Sequence, residues 1–336
     1  MNLQNPVPLL WAGIDLAKAT FVAALWGNEE LRTMRVNTFP RNKAGAKALL
    51  AWLRENNPGG EPIGLVMEAT ATFADELATW LLQLAPSLHI AIVNPIKTSA
   101  FIKSLGLRNK TDDLDARALA QFGAERKPPS WEPPAQEIAE LRDLTRTRAD
   151  LVNARTAMKL RLKDHKRGAK LAEKALCRIV QALDRQIKAL DVGIQSHLKT
   201  HEVLNQWNRR FQSICGVALI TSATVMAELG DLRRFLRSRQ LAAFAGVSPK
   251  KKDSGTSVHG KSRMCKQGSA RVRAILYLAA ASAARYNPDL KAVYERLIAQ
   301  GTPERSALGA VMRKLLILMR AVLKADRDWV PIRQTA

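Results

Sequence analysis

Three carboxylates fall within four positions of the stretch NKTDDLDARALA, residues 109–120: Asp112, Asp113 and Asp115. On a helix beginning near Thr111, Asp112 and Asp115 are three apart and share a face, while Asp113 points elsewhere. Two hard oxygen donors on one face suit Mg2+, which takes carboxylates and water. Acids at a helix N-terminus also complement the macrodipole and cap the end, so alone the cluster reads first as a helix start. Two further acids change the weighing. Asp15, in AGIDLAK, sits inside an apolar strand pattern, and Glu68, in GLVMEATATF, ends another. A charge in such a segment is costly unless something pairs with it.

A strand Asp, a second-strand Glu and two helix Asps, in that order, fit an RNase H-like α/β fold whose acids converge at the sheet. Two cations held there would activate an attacking oxygen and stabilise the leaving oxygen of a phosphodiester. The elements needed to position the acids are legible. WAGIDLAKATFVAALW has β-type apolar residues, and LRTMRVNTF, EPIGLVMEA and HIAIVNP are further strands. Between and after them NKAGAKALLAWLREN, TFADELATWLLQLA, IKTSAFIKSLG and TDDLDARALAQFGAE read as helices. Strands alternating with helices imply an α/β sheet.

Pro128, Pro129, Pro133 and Pro134 forbid a helix through ERKPPSWEPPAQE and favour an extended linker. The expected organisation is an α/β domain over 1–125, a Pro-rich linker over 126–135, a helical coiled-coil arm over 136–207 and a mostly α domain over 208–336. In the arm Leu176, Ile179, Leu183, Ile187, Leu190, Ile194 and Leu198 recur at steps of three and four. Such a stripe is core or a dimer seam. Gly168 stands where a bend or a helical hairpin would fall.

The chain has 336 residues and a formal net charge of +23, unevenly placed. Residues 1–125 hold 12 Lys and Arg against 12 Asp and Glu; the remaining 41 and 18 lie beyond. A positive field of that size favours a polyanion through counterion release, so nucleic acid is the expected partner. No apolar run reaches the roughly 18 residues of a membrane span, and no basic n-region or cleavage site opens the chain. Cys177, Cys215 and Cys265 follow no metal or disulfide spacing. A cytoplasmic location and no membrane partner are expected.

The densest cationic stretch, KKKDSGTSVHGKSRMCKQGSARVR, carries Lys250, Lys251, Lys252, Lys261, Arg263, Lys266, Arg271 and Arg273 against Asp253. Gly255, Gly260 and Gly268 there allow close backbone approach to a phosphate. Ser254, Thr256, Ser257, Ser262 and Ser269 supply hydroxyls, each by itself a turn or phosphate contact sooner than a nucleophile. A second basic run, residues 153–170, includes Arg155 and Lys159 and would touch a phosphate backbone or simply be solvated. SICGVALITSATVMAEL fits a degraded helix-hairpin-helix or a plain αα-hairpin. His197 and His201, four apart, have one geometry for zinc. No third ligand is legible and HLKTHE is not the metalloprotease order, so a solvated pair is expected. Trp52 and Trp131 read as packing residues.

The order GIDLAK, VMEAT, NKTDDLDARALA, then LAAFAGVSPKKKDSGTSVHGKSRMCKQG resembles the DEDD-type transposases of bacterial insertion sequences, Piv-related recombinases, over nearly the whole chain. The resemblance implies a RuvC-like domain, a coiled-coil connection and a C-terminal transposase domain. It implies metal binding by Asp15, Glu68, Asp112 and Asp115, with Asp113 left out, and a nucleophile at the Ser preceding Gly, Ser254, with Ser257 its rival. Two Mg2+ ions, duplex donor and target DNA, a noncoding guide RNA and a dimer or tetramer with composite sites are its further implications. Ala71 and Phe73 depart from the family's EATGTY, and His259 stands where a basic residue is expected. A RuvC-like nuclease using water, or a non-catalytic nucleic-acid binder, are the alternative readings. A sugar-kinase-like use of GIDLAK lacks the Gly-rich phosphate loops.

Overall fold

The computed structural model describes residues 10–26, 34–70, 73–107, 109, 111–164, 170–254 and 258–331, and their side chains except those of 251–263. The chain divides into two compact units, 1–133 and 134–336.

In the first unit β1 (Leu10–Leu16), β2 (Thr20–Trp26) and β3 (Arg35–Pro40) form an antiparallel meander, followed by α1 (Lys43–Glu55). Then come β4 (Ile63–Glu68), α2 (Phe73–Leu84), β5 (His89–Val93), α3 (Pro95–Ser104) and α4 (Asp112–Arg126). The sheet order is β3-β2-β1-β4-β5, with β4 parallel to β1 and β5 parallel to β4. Period-two alternation sorts each strand onto two faces. Ala12 and Ile14 of β1 and Leu65 and Met67 of β4 pack with Leu49 of α1 and Leu77 and Leu81 of α2. Trp11 and Val66 face the other way and pack with Phe101 of α3 and Leu119 and Phe122 of α4. Gly13, Asp15 and Glu68 have the parity of this second face.

One glycine sets how closely α4 lies on the sheet. A Cβ at Gly13 would stand 2.1 Å from the Ala116 carbonyl oxygen and 2.2 Å from the Ala120 nitrogen. The helix backbone therefore rests directly on β1, two residues before Asp15 and on the same face. Beyond α4, residues 127–135 form neither helix nor strand. Trp131 donates its backbone N–H to the Ile90 carbonyl and packs on the α1/α2 core, and Trp52 meets Phe39 edge-on, so both tryptophans pack.

The second unit begins with α5 (Gln136–Asp164) and α6 (Lys170–Thr200), which pack along one another. Gly168 lies outside the described residues. Ile187, Ile194 and Leu198 of the apolar stripe are buried, but Ile179 is 46% exposed and Val180 is the buried residue at that level. The stripe's first members therefore serve the hairpin less than its last. Arg155 is 2.9 Å and Lys159 3.7 Å from Asp184 across the pair, so two cations of the arm stitch the helices together.

The unit continues through α7 (Glu202–Gln212), α8 (Leu219–Leu229), α9 (Ser238–Phe244), strands β6 (Pro249–Ser254) and β7 (Val258–Met264), α10 (Ala270–Tyr286), α11 (Pro288–Ala299) and α12 (Glu304–Ala325). Its core gathers Ile138 and Leu141 of α5 with Leu204, Phe211, Met226, Leu276, Leu315 and Met319. Gly216 has φ +102°, and a Cβ there would lie 2.7 Å from the Ala283 Cβ, so internal helix packing accounts for this glycine. The plain αα-hairpin reading of this segment is the better one. No described helix is long and apolar enough to cross a membrane.

Candidate active site

Sheet and helix bring the four acids to one place. Asp15 is the sixth residue of β1, opposite Val22 on β2. Ile14 pairs with Met67 in parallel register, so Asp15 and Glu68 are neighbours at the carboxyl ends of adjacent strands. Carboxyl ends of parallel strands are where open α/β sheets place ligands. Thr111 caps α4, its hydroxyl accepting the Leu114 N–H at 3.3 Å, and puts Asp112, Asp113 and Asp115 in the first turn. Because α4 lies on β1 at Gly13, that first turn projects beside Asp15.

The electrostatics report the result. Burial pushes the Asp15 carboxyl from its ordinary 3.8 up to about 6, and the negative charges of Asp112, Asp115 and Glu68 push the same way. The backbone N–H of Leu16 opposes them weakly. Asp113 is not among the groups that act most strongly on Asp15; both it and Asp112 are exposed, while Asp115 is half-buried. Glu68 has a partner that the sequence did not disclose. The hydroxyl of Thr98, fully buried on α3, lies 2.5 Å from Glu68 Oε1 and also 3.0 Å from the Pro95 carbonyl. A hydroxyl donated to a carboxylate fixes its orientation. The only signal available was a lone Thr in IKTSAF, on a helix without strong apolar periodicity.

The basic stretch falls partly on the β6–β7 hairpin, where Ser254 ends β6 and pairs with Val258, Lys250 pairs with Arg263, and Lys252 with Gly260. The register shifts between Lys250 and Lys252. Gly255, Thr256 and Ser257 lie outside the described residues, as do the side chains of Lys251, Lys252, Ser254, His259, Lys261, Ser262 and Arg263. Lys250 and Lys266 are exposed. Arg271 is 3.0 Å from Asp150, and Arg273 donates to the Gly268 carbonyl at 2.5 Å, so both are held within the unit. Gly268 serves packing rather than phosphate approach: a Cβ there would meet the Phe244 carbonyl oxygen at 2.2 Å. Ser269 is a helix cap, accepting the Val272 N–H at 3.3 Å and donating to Glu228 at 3.1 Å.

Glu228 anchors the approach to this segment. Burial works to raise it, but the hydrogen bonds from Arg146 and Ser269 and the charges of Arg146 and Arg142 outweigh burial and hold it below its ordinary value. The Arg146–Glu228 contact is 2.7 Å.

The chain resembles known proteins over most of its length. Residues 12–168 match the DEDD-type IS110 transposase family, and residues 208–295 the transposase IS116/IS110/IS902 family. The pilin gene-inverting protein of Moraxella bovis is 30% identical over 330 residues, 95% of this chain and 97% of the relative. That of Moraxella lacunata has the same identity and coverage. The transposase for insertion sequence element IS1111A of Coxiella burnetii is 30% identical over 190 residues, 49% of this chain and 51% of the relative. The family suggests use of a divalent metal, and the all-carboxylate donor set around Asp15 fits one. The chain belongs to the IS110-type DEDD transposases of insertion sequences and is a DNA recombinase.

Proposed function

We propose that this protein cuts and exchanges DNA strands of an insertion sequence or invertible segment, with Asp15, Glu68, Asp112 and Asp115 holding two Mg2+ ions on a RuvC-like, RNase H-type sheet and Ser254 acting as nucleophile. The observation that carries this reading is the Asp15 carboxyl, raised by burial and by the charges of Glu68 on the adjacent strand and of Asp112 and Asp115 on the first turn of α4. The strand order β3-β2-β1-β4-β5, antiparallel on one side of β1 and parallel on the other, supports the RNase H-type assignment. Bound there, the cations would polarise the scissile phosphate and offset charge on the leaving oxygen.

The chain's own groups have the following parts. Thr98 holds the Glu68 carboxylate in one orientation. Asp15, which keeps its proton only below about pH 6, would hold a cation in its ionised form. Ser254 Oγ attacks the phosphorus: the Oγ–P bond forms as the P–O3′ bond breaks, the Ser254 hydroxyl loses its proton, and the departing 3′ oxygen takes one up. The phosphoserine keeps the bond energy for rejoining to a 3′ hydroxyl from another site. Lys250, Lys251, Lys252, Lys261, Arg263, Lys266, Arg271 and Arg273 supply the positive field for phosphates on this segment. Duplex donor and target DNA, a noncoding guide RNA and a dimer or tetramer belong to the same reading, since two duplexes must be handled at once.

The test is incubation of the protein with end-labelled duplex, Mg2+ and the RNA encoded beside its gene, followed by denaturing electrophoresis. The expected product is a covalent protein–DNA adduct, lost in Ser254→Ala and in Asp115→Asn. Normal cleavage by Ser254→Ala would replace this mechanism with attack by water.

A further inference from the structure

A second group of metal-ligating side chains lies in the second unit, far along the chain from the acids. Glu140 on α5, His197 in the last turn of α6 and His201 at the start of α7 present one ligand atom each, all within 4.8 Å of one another. We propose that these three residues bind a late first-row divalent cation, Zn2+ foremost, which ties α5 to the α6–α7 junction.

The tautomer of His197 is the first argument. Its Nε2 is 2.8 Å from the Glu137 carbonyl oxygen. A carbonyl only accepts, so Nε2 carries the proton and the neutral ring's lone pair is on Nδ1. That atom faces Glu140 Oε2 at 3.7 Å. The separation is too long for a direct hydrogen bond. It is close to the distance of about 3.4 Å between two ligands across a tetrahedral zinc ion. In the neutral ring two lone pairs are turned toward one point, an arrangement that a cation between them would satisfy.

The supporting contacts are the second. Glu140 Oε1 accepts from Gln136 Nε2 at 2.9 Å, which orients the carboxylate and leaves Oε2 for the ion. The Glu137 carbonyl orients His197 in the same way. Ligands held through their distal atoms are the usual second layer of a metal centre. His201 is the N-cap residue of α7, yet its side chain makes no capping hydrogen bond. Its ring instead lies 4.5 Å from the His197 ring, centroid to centroid, at 50°.

Donor chemistry selects the ion. Two imidazoles and one carboxylate favour Zn2+ and its neighbours over Mg2+, the reverse of the preference of an all-carboxylate set. His197 is 11% exposed and Glu140 50%, so the centre is walled on one side and open on the other, leaving room for a water as fourth ligand. Ile138, Leu141, Ile194, Leu198 and Leu204 form the buried core directly beneath. An ion bridging three helices over that core binds the folded unit and not the unfolded chain.

The experiment is a Co2+ titration of the tag-free, chelator-treated full-length protein at pH 7.5, followed by visible absorption. One equivalent should give the intense d–d bands of a four- or five-coordinate nitrogen-containing site. Zn2+ should displace it and excess Mg2+ should not. His201→Ala and Glu140→Gln should each weaken binding at least about tenfold, while Asp15→Asn should leave the bands intact. Zn2+ should raise the melting temperature of the wild type and of Asp15→Asn but not of His201→Ala, whose metal-free melt reports that it folds. Bands that survive in His201→Ala, or that vanish in Asp15→Asn or under Mg2+, would assign the cation elsewhere and overturn the proposal. So would the absence of any band, which would make the cluster a plain imidazolium–carboxylate contact. These readouts are independent of the DNA reaction.

Discussion

Replacing Asp15 with Asn should stabilise the metal-free protein while abolishing its activity. The folded state holds the Asp15 proton more tightly than the unfolded chain, because burial and three neighbouring acids raise the carboxyl from 3.8 to about 6. Between those values the folded state carries more protons, so stability falls as pH rises through that window, and the whole penalty is present above about pH 6. A shift of that size corresponds to about 3 kcal/mol. Asp15 is only half-buried, and solvent screening reduces the figure to ~1–2 kcal/mol. Asn keeps a carbonyl oxygen for the Leu16 N–H and removes the charge. Scanning calorimetry of the metal-free full-length protein at pH 7.5 should place the transition of the first unit roughly 3–8 °C higher in Asp15→Asn. The gap should shrink as pH is lowered from 7.5 toward 5. Mg2+ should raise the wild-type transition and leave that of the variant unmoved, with wild-type affinity rising through pH 6 as the proton is displaced. A variant that melts lower than the wild type at every pH would refute the reasoning, since it would make Asp15 a structural group instead of one held against repulsion.

Thr98→Val keeps the shape of the side chain but removes the hydrogen bond to Glu68; it should weaken Mg2+ binding about 10–100-fold by calorimetric titration, with Thr98→Ser restoring most of it. Gly13→Ala should cost at least about 1–3 kcal/mol in thermal unfolding and lose Mg2+ binding as well, because the new Cβ meets the α4 backbone, which cannot move aside without carrying Asp112 and Asp115 with it. Glu228→Gln should destabilise the second unit by about 3 kcal/mol. That loss should be seen at pH 7 and fade as pH falls below 4.5, since the carboxyl of Glu228 lies below that ordinary value in the folded state and its stabilisation disappears once it is protonated.

The acids were legible because each breaks a local pattern. Asp15 and Glu68 interrupt apolar strands, and Asp112 and Asp115 sit at the start of a helix whose cap, Thr111, can be read directly. Their convergence follows from strand parity and from a glycine whose meaning is plain only once α4 is seen against it. Thr98 was not legible, because a buried hydroxyl on a weakly periodic helix has no local signature. The β6–β7 hairpin escaped for a related reason: PKKKDS and VHGKSRM are basic, without the apolar alternation that marks a strand. Glu140 lies 57 residues before His197 on another helix, and no spacing rule links ligands that only the packing of α5 on α6 brings together. Ser254 owed its standing to the family motif, since its sequence neighbourhood alone gave five equivalent hydroxyls.

Two carboxylates of this chain are removed from water to a similar degree and titrate in opposite directions. Glu228 is met by Arg146, Arg142 and Ser269, and its charge is favoured in spite of burial. Asp15 is met by Glu68, Asp112 and Asp115, and its charge is resisted. Glu228 is held by opposite charge, whereas Glu68, Asp112 and Asp115 act on Asp15 with charge of its own sign. Gathering four acids there costs stability in the metal-free protein, and on the reading proposed above a bound cation would reverse that cost. On the same reading, cations would let a polypeptide of net charge +23 hold an acidic cluster beside an anionic substrate.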